Sequence, residues 1–212
     1  MGLLNIFFRG NPSLPTIGDT RGLLRAKYGI TERQYTVFVS YRRSGGYFPA
    51  KMISTYLSGE NVSVFFDWDC FGPGDNWEEE IEPIIDNTPF FILICTPNMF
   101  DNRLRNSIEK DYCKIELLYA LRKHKRIIPY YFDYNGENIG EKEQDRFVDS
   151  VFQSLTFDEE EDKGEKYIQY LKKLHYTFYS RTNHKDSIDS VIKTIAPKTS
   201  KRERNTVISH HI

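Results

Sequence analysis

The sequence predicts an α/β domain: an open, doubly wound sheet of five parallel strands with helices on both faces. Two observations carry that expectation. Five short runs of β-branched and aromatic residues are apolar almost throughout, and segments of helical period lie between them. Unbroken apolar runs suit strands buried on both faces of a parallel sheet, and strand–helix alternation calls for right-handed crossovers. A chain of 212 residues with 39% hydrophobic and 15% aromatic residues is long enough to close one core of this kind.

The first run, Thr36–Tyr41 (TVFVSY), follows a preamble, residues 1–34, in which Gly10, Pro12 and Pro15 break any early element. Within that preamble Thr20–Gly29 offers a short helix closed by Gly29. Its apolar opening, Met1–Arg9, lacks the charged start and cleavage site of a signal peptide, and Ile6 stands where a myristoylation motif needs Ser or Thr. An arm packing on the domain or on a neighbour is the expectation. Helical period then covers Pro49–Leu57, followed by the second strand, Val62–Phe66 (VSVFF), and a helix over Trp77–Asp86. The third strand is Phe90–Cys95 (FFILIC), its helix Lys110–His124, and the fourth strand Arg126–Phe132 (RIIPYYF). Pro129 cannot donate a ladder hydrogen bond, so this strand is expected to be short or bulged there. Helices over Glu141–Leu155 and Glu165–Leu174, the strand Tyr176–Tyr179 and a helix over Asp186–Ile195 complete the domain, residues 35–196. Asp158–Lys166 (DEEEDKGEK) reads as a solvated acidic loop, and the tail, residues 197–212, as flexible.

Composition narrows the function. Lys+Arg 29 against Asp+Glu 30 leaves a net charge of −1, so no chain-wide field draws nucleic acid or an anionic bilayer. No run reaches the roughly 18 apolar residues of a membrane span. Cys70, Cys95 and Cys113 are too few for a disulfide framework and too widely spaced for a structural zinc cluster, which fits a reducing, cytoplasmic setting with no metal.

In open doubly wound sheets, ligands bind beyond the carboxyl ends of the strands, where strand order reverses. For the flavodoxin-like order 2-1-3-4-5 the reversal lies between strands one and three. The segment leaving strand one, Ser40–Gly46 (SYRRSGG), offers Tyr41, Arg42, Arg43 and Ser44, with Gly45 and Gly46 letting backbone approach a phosphate. On the helix after strand three, Cys113, Leu117, Ala120 and Leu121 form a core-facing stripe, with Glu116 at its border and Tyr112 one turn earlier. A carboxylate and an aromatic so placed can meet a sugar and a planar base together, but helix geometry alone favours the plainer reading of Glu116 as a boundary residue paired with Lys or Arg. The loop Asp67–Trp77 (DWDCFGPGDNW) is turn-rich, Asp75 can cap the helix at Trp77, and Trp68 and Phe71 suggest a contact surface.

Taken in order, Val37–Arg43 (VFVSYRR), Val64–Asp67 (VFFD), Gly72–Trp77 (GPGDNW), Thr96–Asp101 (TPNMFD), Asp111–Ala120 (DYCKIELLYA) and Ile127–Pro129 (IIP) resemble a Toll/interleukin-1 receptor (TIR) domain over about Tyr35–Ile195. The resemblance implies an NAD-cleaving member, with Glu116 as the catalytic glutamate and Tyr112 stacking on nicotinamide. It places Arg42 and Arg43, flanked by Tyr41 and Ser44, near the dinucleotide's phosphates and ribose. Phe71 falls in the family's BB loop, Phe71–Asn76, which often completes the site from a neighbouring protomer. Gly72 stands where some animal members place an acidic ligand, and Tyr112 replaces the Trp of some relatives, keeping a stacking surface of smaller area. NAD+ is then a substrate and not a bound cofactor, with nicotinamide and ADP-ribose, or a cyclic or conjugated ADP-ribose, as products. Homotypic TIR–TIR assembly into an oligomer or filament is implied as well. So is a stand-alone bacterial protein of antiviral defence that signals to a nucleotide-sensing effector. The alternative is a non-catalytic TIR scaffold acting by self-association or by interference with a host's TIR signalling. A phosphoryl receiver shares the topology but needs acids after strand one and a Lys after strand four, where this chain has Arg42 and Tyr130–Phe132.

Overall fold

The side chains of β1 (Val37–Ser40) divide between two cores by the alternation of an extended chain. Val37 and Val39 join Ala50, Ile53, Ile92, Ile94 and Ile128 on one face of the sheet, whereas Phe38 joins Phe65, Phe91, Leu93 and Leu117 on the other. The computed structural model describes residues 35–67, 77–97, 99–100, 111–133, 141–157, 161–179 and 184–195, all within the compact unit Gln34–Ile212. The expectations for residues 1–34, for the Asp75 cap, for the BB loop with Phe71, and for residues 197–212 lie outside the described residues.

After β1 come α1 (Arg43–Gly59), β2 (Val64–Phe65), α2 (Trp77–Asp86), β3 (Phe90–Cys95), α3 (Tyr112–Arg122) and β4 (Arg126–Tyr131). The domain closes with α4 (Glu141–Phe152), α5 (Glu161–Lys173), β5 (Thr177–Phe178) and α6 (His184–Ile195). The five described strands pair in parallel in the order β2-β1-β3-β4-β5, the doubly wound order expected from the sequence. Helices α1 and α6 cover one face, through Ala50, Ile53, Leu57, Val191 and Ile195. The other face lies under α2, α3, α4 and α5, through residues such as Ile85, Leu117, Val151 and Leu171. Among the described residues no helix is long and apolar enough to cross a membrane.

Three sequence expectations change. Strand β4 is neither short nor bulged at Pro129: it runs six residues in unbroken register with β3, Leu93 opposite Pro129. The reason lies in which way each amide points. Arg126 donates to Pro89 and Phe132 to Cys95, on the β3 side, while the Tyr131 carbonyl accepts from Tyr179 on the β5 side. Amides alternate along a strand, so the one that Pro129 lacks would face β5, and β5 begins pairing only at Tyr130. Second, the acidic stretch is not loop throughout, because α5 starts at Glu161. Gly164 is buried one contact from Phe157, 3.5 Å from that Cβ to the one an alanine would carry. Third, the helical segment after β1 starts at Arg43 rather than Pro49, with a break at Ser44 and Gly45.

Gly45 has φ 85°, left-handed backbone that a side chain disfavours, and a Cβ on Gly46 would sit 3.2 Å from the Tyr41 Cβ. Both glycines are therefore needed for the turn that brings the chain from β1 onto α1. Gly45→Ala is expected to lower stability by about 1–2 kcal/mol. Urea titration would show this as a lower midpoint at constant slope, and an unchanged midpoint would remove the strain argument.

Candidate functional site

The alternation that sends Val37 and Val39 one way sends Ser40 the other, toward α3. On α3 the stripe Cys113, Leu117, Ala120 and Leu121 is buried as its spacing predicts, which leaves Glu116 at the border, partly exposed. Ser40 Oγ donates to Glu116 Oε2 at 2.7 Å, joining the carboxyl end of β1 to the helix after β3 at the reversal of strand order. Loss of water around the carboxyl pushes the Glu116 pKa up to about 8; the charges of Asp67 and Asp111 push the same way, against the Ser40 hydrogen bond and Arg43. At neutral pH Glu116 is therefore mostly the neutral acid.

A second network lies beside it. Tyr41 Oη donates to one oxygen of Asp67, two residues past the end of β2, and Arg43 donates to the other at 3.1 Å. The Tyr41 ring stacks on Phe66, centroids 5.2 Å apart, and burial together with the Asp67 contact holds its hydroxyl well above the ordinary phenol range. The Arg43 side chain is 72% exposed, so its guanidinium reaches solvent beyond the carboxyl ends of β1 and β2.

Arg42 turns inward. It pairs with Asp111 at 3.2 Å and its Nε donates to the Met99 carbonyl, with Arg42 and Asp111 side chains only 14% and 4% exposed. Asp111 is also the N-cap of α3, accepting from the Lys114 amide at 3.3 Å, and Cys113 Sγ donates to the Tyr41 carbonyl at 3.2 Å. The exits of β1 and β3 and the start of α3 are thus tied at one ion pair.

Of the residues singled out in the sequence, Tyr41, Arg42, Arg43 and Glu116 lie in contacts at the exits of β1 and β2 and along the first turns of α3. Ser44 is exposed at the break within the first turn of α1, and Tyr112, partly buried, opens α3 one turn ahead of Glu116. Three members of the network were not singled out: Ser40, Asp67 and Asp111. Ser40 carried a signal in its even spacing from Phe38, and Asp111 one in its place just before a helix. Asp67 had none beyond closing an apolar strand.

A family model described as the TIR domain matches residues 37–171. The Caenorhabditis elegans protein named NAD(+) hydrolase tir-1 is 34% identical over 102 residues, which is 48% of this chain and 10% of that protein. The Danio rerio protein named NAD(+) hydrolase SARM1 is 31% identical over 93 residues, 44% of this chain and 13% of that protein. The chain thus matches only about a tenth of the length of these curated relatives. Among solved structures, the TIR domains of the activated Roq1 resistosome superpose with a TM-score of 0.55 at 14% identity, covering 76% of this chain and 99% of that one; they share the fold.

Proposed function

This chain belongs to the TIR domain family, and from that premise we propose that it cleaves the bond between nicotinamide and ribose in NAD+, with Glu116 as the catalytic group. The observation that carries the reading is the place of Glu116: a partly exposed carboxyl, hydrogen-bonded to Ser40 at the carboxyl end of β1, where strand order reverses. Relatives named NAD(+) hydrolases support it.

A neutral Glu116 in the substrate-free site fits this chemistry, because the substrate brings its own positive charge. The pyridinium of NAD+ beside the carboxyl lowers its pKa, so binding expels the proton and creates the carboxylate. NADH, whose nicotinamide ring is uncharged, offers no such inducement. As the C–N bond breaks, nicotinamide leaves with the bonding electron pair and the ribose gains oxocarbenium character. The carboxylate of Glu116 stabilises that charge and holds ribose hydroxyls by charge-assisted hydrogen bonds. Water then adds to the anomeric carbon and releases a proton to solvent, giving ADP-ribose; attack by the adenine of the same molecule gives a cyclic product instead. Arg43 is the phosphate-binding group, Tyr112 the stacking surface for nicotinamide, and Tyr41 and Ser44 border the same crevice. Completion of the site by the BB loop, Phe71–Asn76, of a second copy makes turnover depend on head-to-tail assembly.

The test is NAD+ turnover by the purified protein at high concentration, with chromatographic identification of products, beside Glu116→Gln. Nicotinamide release by the wild type and its loss in the variant is the expected result, and the second product names the branch of the reaction. Absence of release from the wild type under these conditions overturns the enzymatic reading in favour of a TIR scaffold, with Glu116 an acid at a helix boundary.

A further inference from the structure

Three consecutive residues at the exit of β1 hold α3 at three successive points. Ser40 Oγ donates to Glu116 Oε2 at 2.7 Å, the Tyr41 carbonyl accepts from Cys113 Sγ at 3.2 Å, and Arg42 pairs with Asp111 at 3.2 Å. As the chain leaves the strand, its contacts run back along the helix toward the N-cap. The second and third dock the start of α3 against the sheet, and the first reaches the carboxyl itself. The two ends of that first contact differ in freedom. Ser40 lies opposite Leu93 of β3, is 1% exposed, and has one side-chain torsion between its strand backbone and its oxygen. Glu116 is partly exposed and carries its carboxyl at the end of a long, rotamer-rich side chain, which an anchor is needed to order. Among the described residues the buried Ser40 hydroxyl has Glu116 as its one side-chain partner, and a buried hydroxyl left unpaired is costly, so each group keeps the other in place.

We propose that Ser40 is a positioning residue for Glu116: a hydroxyl fixed by the sheet holds one carboxyl oxygen, Oε2, and so selects the rotamer from which the other, Oε1, meets the ribose. The bond also settles where the proton of the neutral acid sits. A carbonyl oxygen is the better acceptor of the two in a carboxylic acid, so with Ser40 donating to Oε2 the proton is on Oε1, and it passes from there to solvent when the carboxylate forms. The arrangement deepens the assignment of Glu116 as the catalytic group and rests on it, adding the device that aims the carboxyl.

Ser40→Ala removes the anchor and leaves the Cys113 and Arg42 contacts in place, so α3 stays docked. Its kcat for nicotinamide release is expected to fall about 10- to 100-fold with KM for NAD+ within about twofold of the wild type, because a loosened carboxyl costs transition-state geometry more than it costs binding. Ser40→Cys, which puts a weaker donor in the same place, is expected between the two. A second readout needs no turnover. At about pH 6, where Glu116 is the neutral acid, its infrared carbonyl band is isolated by subtracting the spectrum of Glu116→Gln. The band is expected to be narrow in the wild type and to broaden in Ser40→Ala as the carboxyl spreads over rotamers. A serine that served only the fold would move the melting temperature and leave both kcat and the band as they are. An unchanged band, an unchanged kcat in an active enzyme, or a loss that falls on KM alone overturns the proposal. A broadened band in a protein that releases no nicotinamide leaves the anchoring by Ser40 standing and refutes the enzymatic reading alone.

Discussion

Replacing Glu116 by Gln is expected to slow nicotinamide release about a thousandfold, roughly 4 kcal/mol of transition-state stabilisation, while raising thermal stability in alkaline solution. The two effects have one origin. Gln keeps the size of the neutral acid and can still accept from Ser40, which donates at 2.7 Å, so the resting site tolerates it. It cannot become an anion when positive charge develops on the ribose, so the loss should fall on kcat and on kcat/KM alike. The stability effect follows from proton linkage. Glu116 has a folded-state pKa near 8, whereas an unfolded-chain Glu titrates near 4.3. Between those values the native protein holds a proton that the unfolded chain has released, so wild-type stability falls as pH rises through about 4.5 to 8 and levels off above. Discounted for the partial exposure of the side chain, the loss is about 2 kcal/mol, or about 4–8 °C in Tm for a domain of this size. The variant escapes it, so the gap in Tm between variant and wild type should widen by that amount from pH 5 to pH 9. A gap that is the same at both pH values would mean that Glu116 titrates normally, and the account of the site as a held neutral acid would fail.

What the sequence disclosed, and what it withheld, divides along sequence separation. Phe90–Cys95 and Trp77–Asp86 have the bounds that local pattern assigned, because an apolar run or a helical stripe is written into neighbouring residues. The stripe on α3 likewise placed Glu116 at a buried border before any coordinates. The partners of the site residues are another matter. Ser40 and Glu116 stand 76 positions apart, Arg42 and Asp111 69, and Arg43 and Asp67 24, so each pairing exists only once the crossovers have brought strand ends together. Pro129 shows the converse error, in which a correct local rule gave the wrong strand because the missing amide faced a stretch that β5 does not reach. The start of α5 at Glu161 is a similar case: a stretch that reads as loop by composition continues into a helix whose apolar residues lie further on.

Arg42→Ala is expected to cost about 3 kcal/mol of stability, lowering Tm by about 6–12 °C, and to lower kcat for nicotinamide release more than it raises KM. The basic pair after β1 suggests two equivalent phosphate ligands, but the structure treats them differently. Arg43 is open to solvent, whereas Arg42 is folded inward onto Asp111 and the Met99 carbonyl. Removing Arg42 takes away the counter-charge set 3.2 Å from a carboxylate whose side chain is 4% exposed, the costly way to break a buried pair. The penalty stops near the lower end of the usual range because Asp111 still accepts from the Lys114 amide at the positive end of α3. Asp111→Asn keeps that cap and removes only the charge, so it should be the milder change. A double-mutant cycle with Arg42→Met then isolates the pair, with a coupling of at least about 1 kcal/mol expected. The consequence for catalysis is mechanical. Asp111 caps the helix that carries Glu116 five residues on, so slack at the cap moves the carboxyl relative to Ser40 and loosens the geometry on which kcat depends. Arg43→Gln, by contrast, should raise KM at little cost in stability, since its ion pair is exposed and such pairs contribute about 0–1 kcal/mol. Should Arg42→Ala leave Tm within a degree of the wild type and raise KM alone, Arg42 would be a phosphate ligand that happens to rest on Asp111, and the clamp at the start of α3 would have to be sought elsewhere.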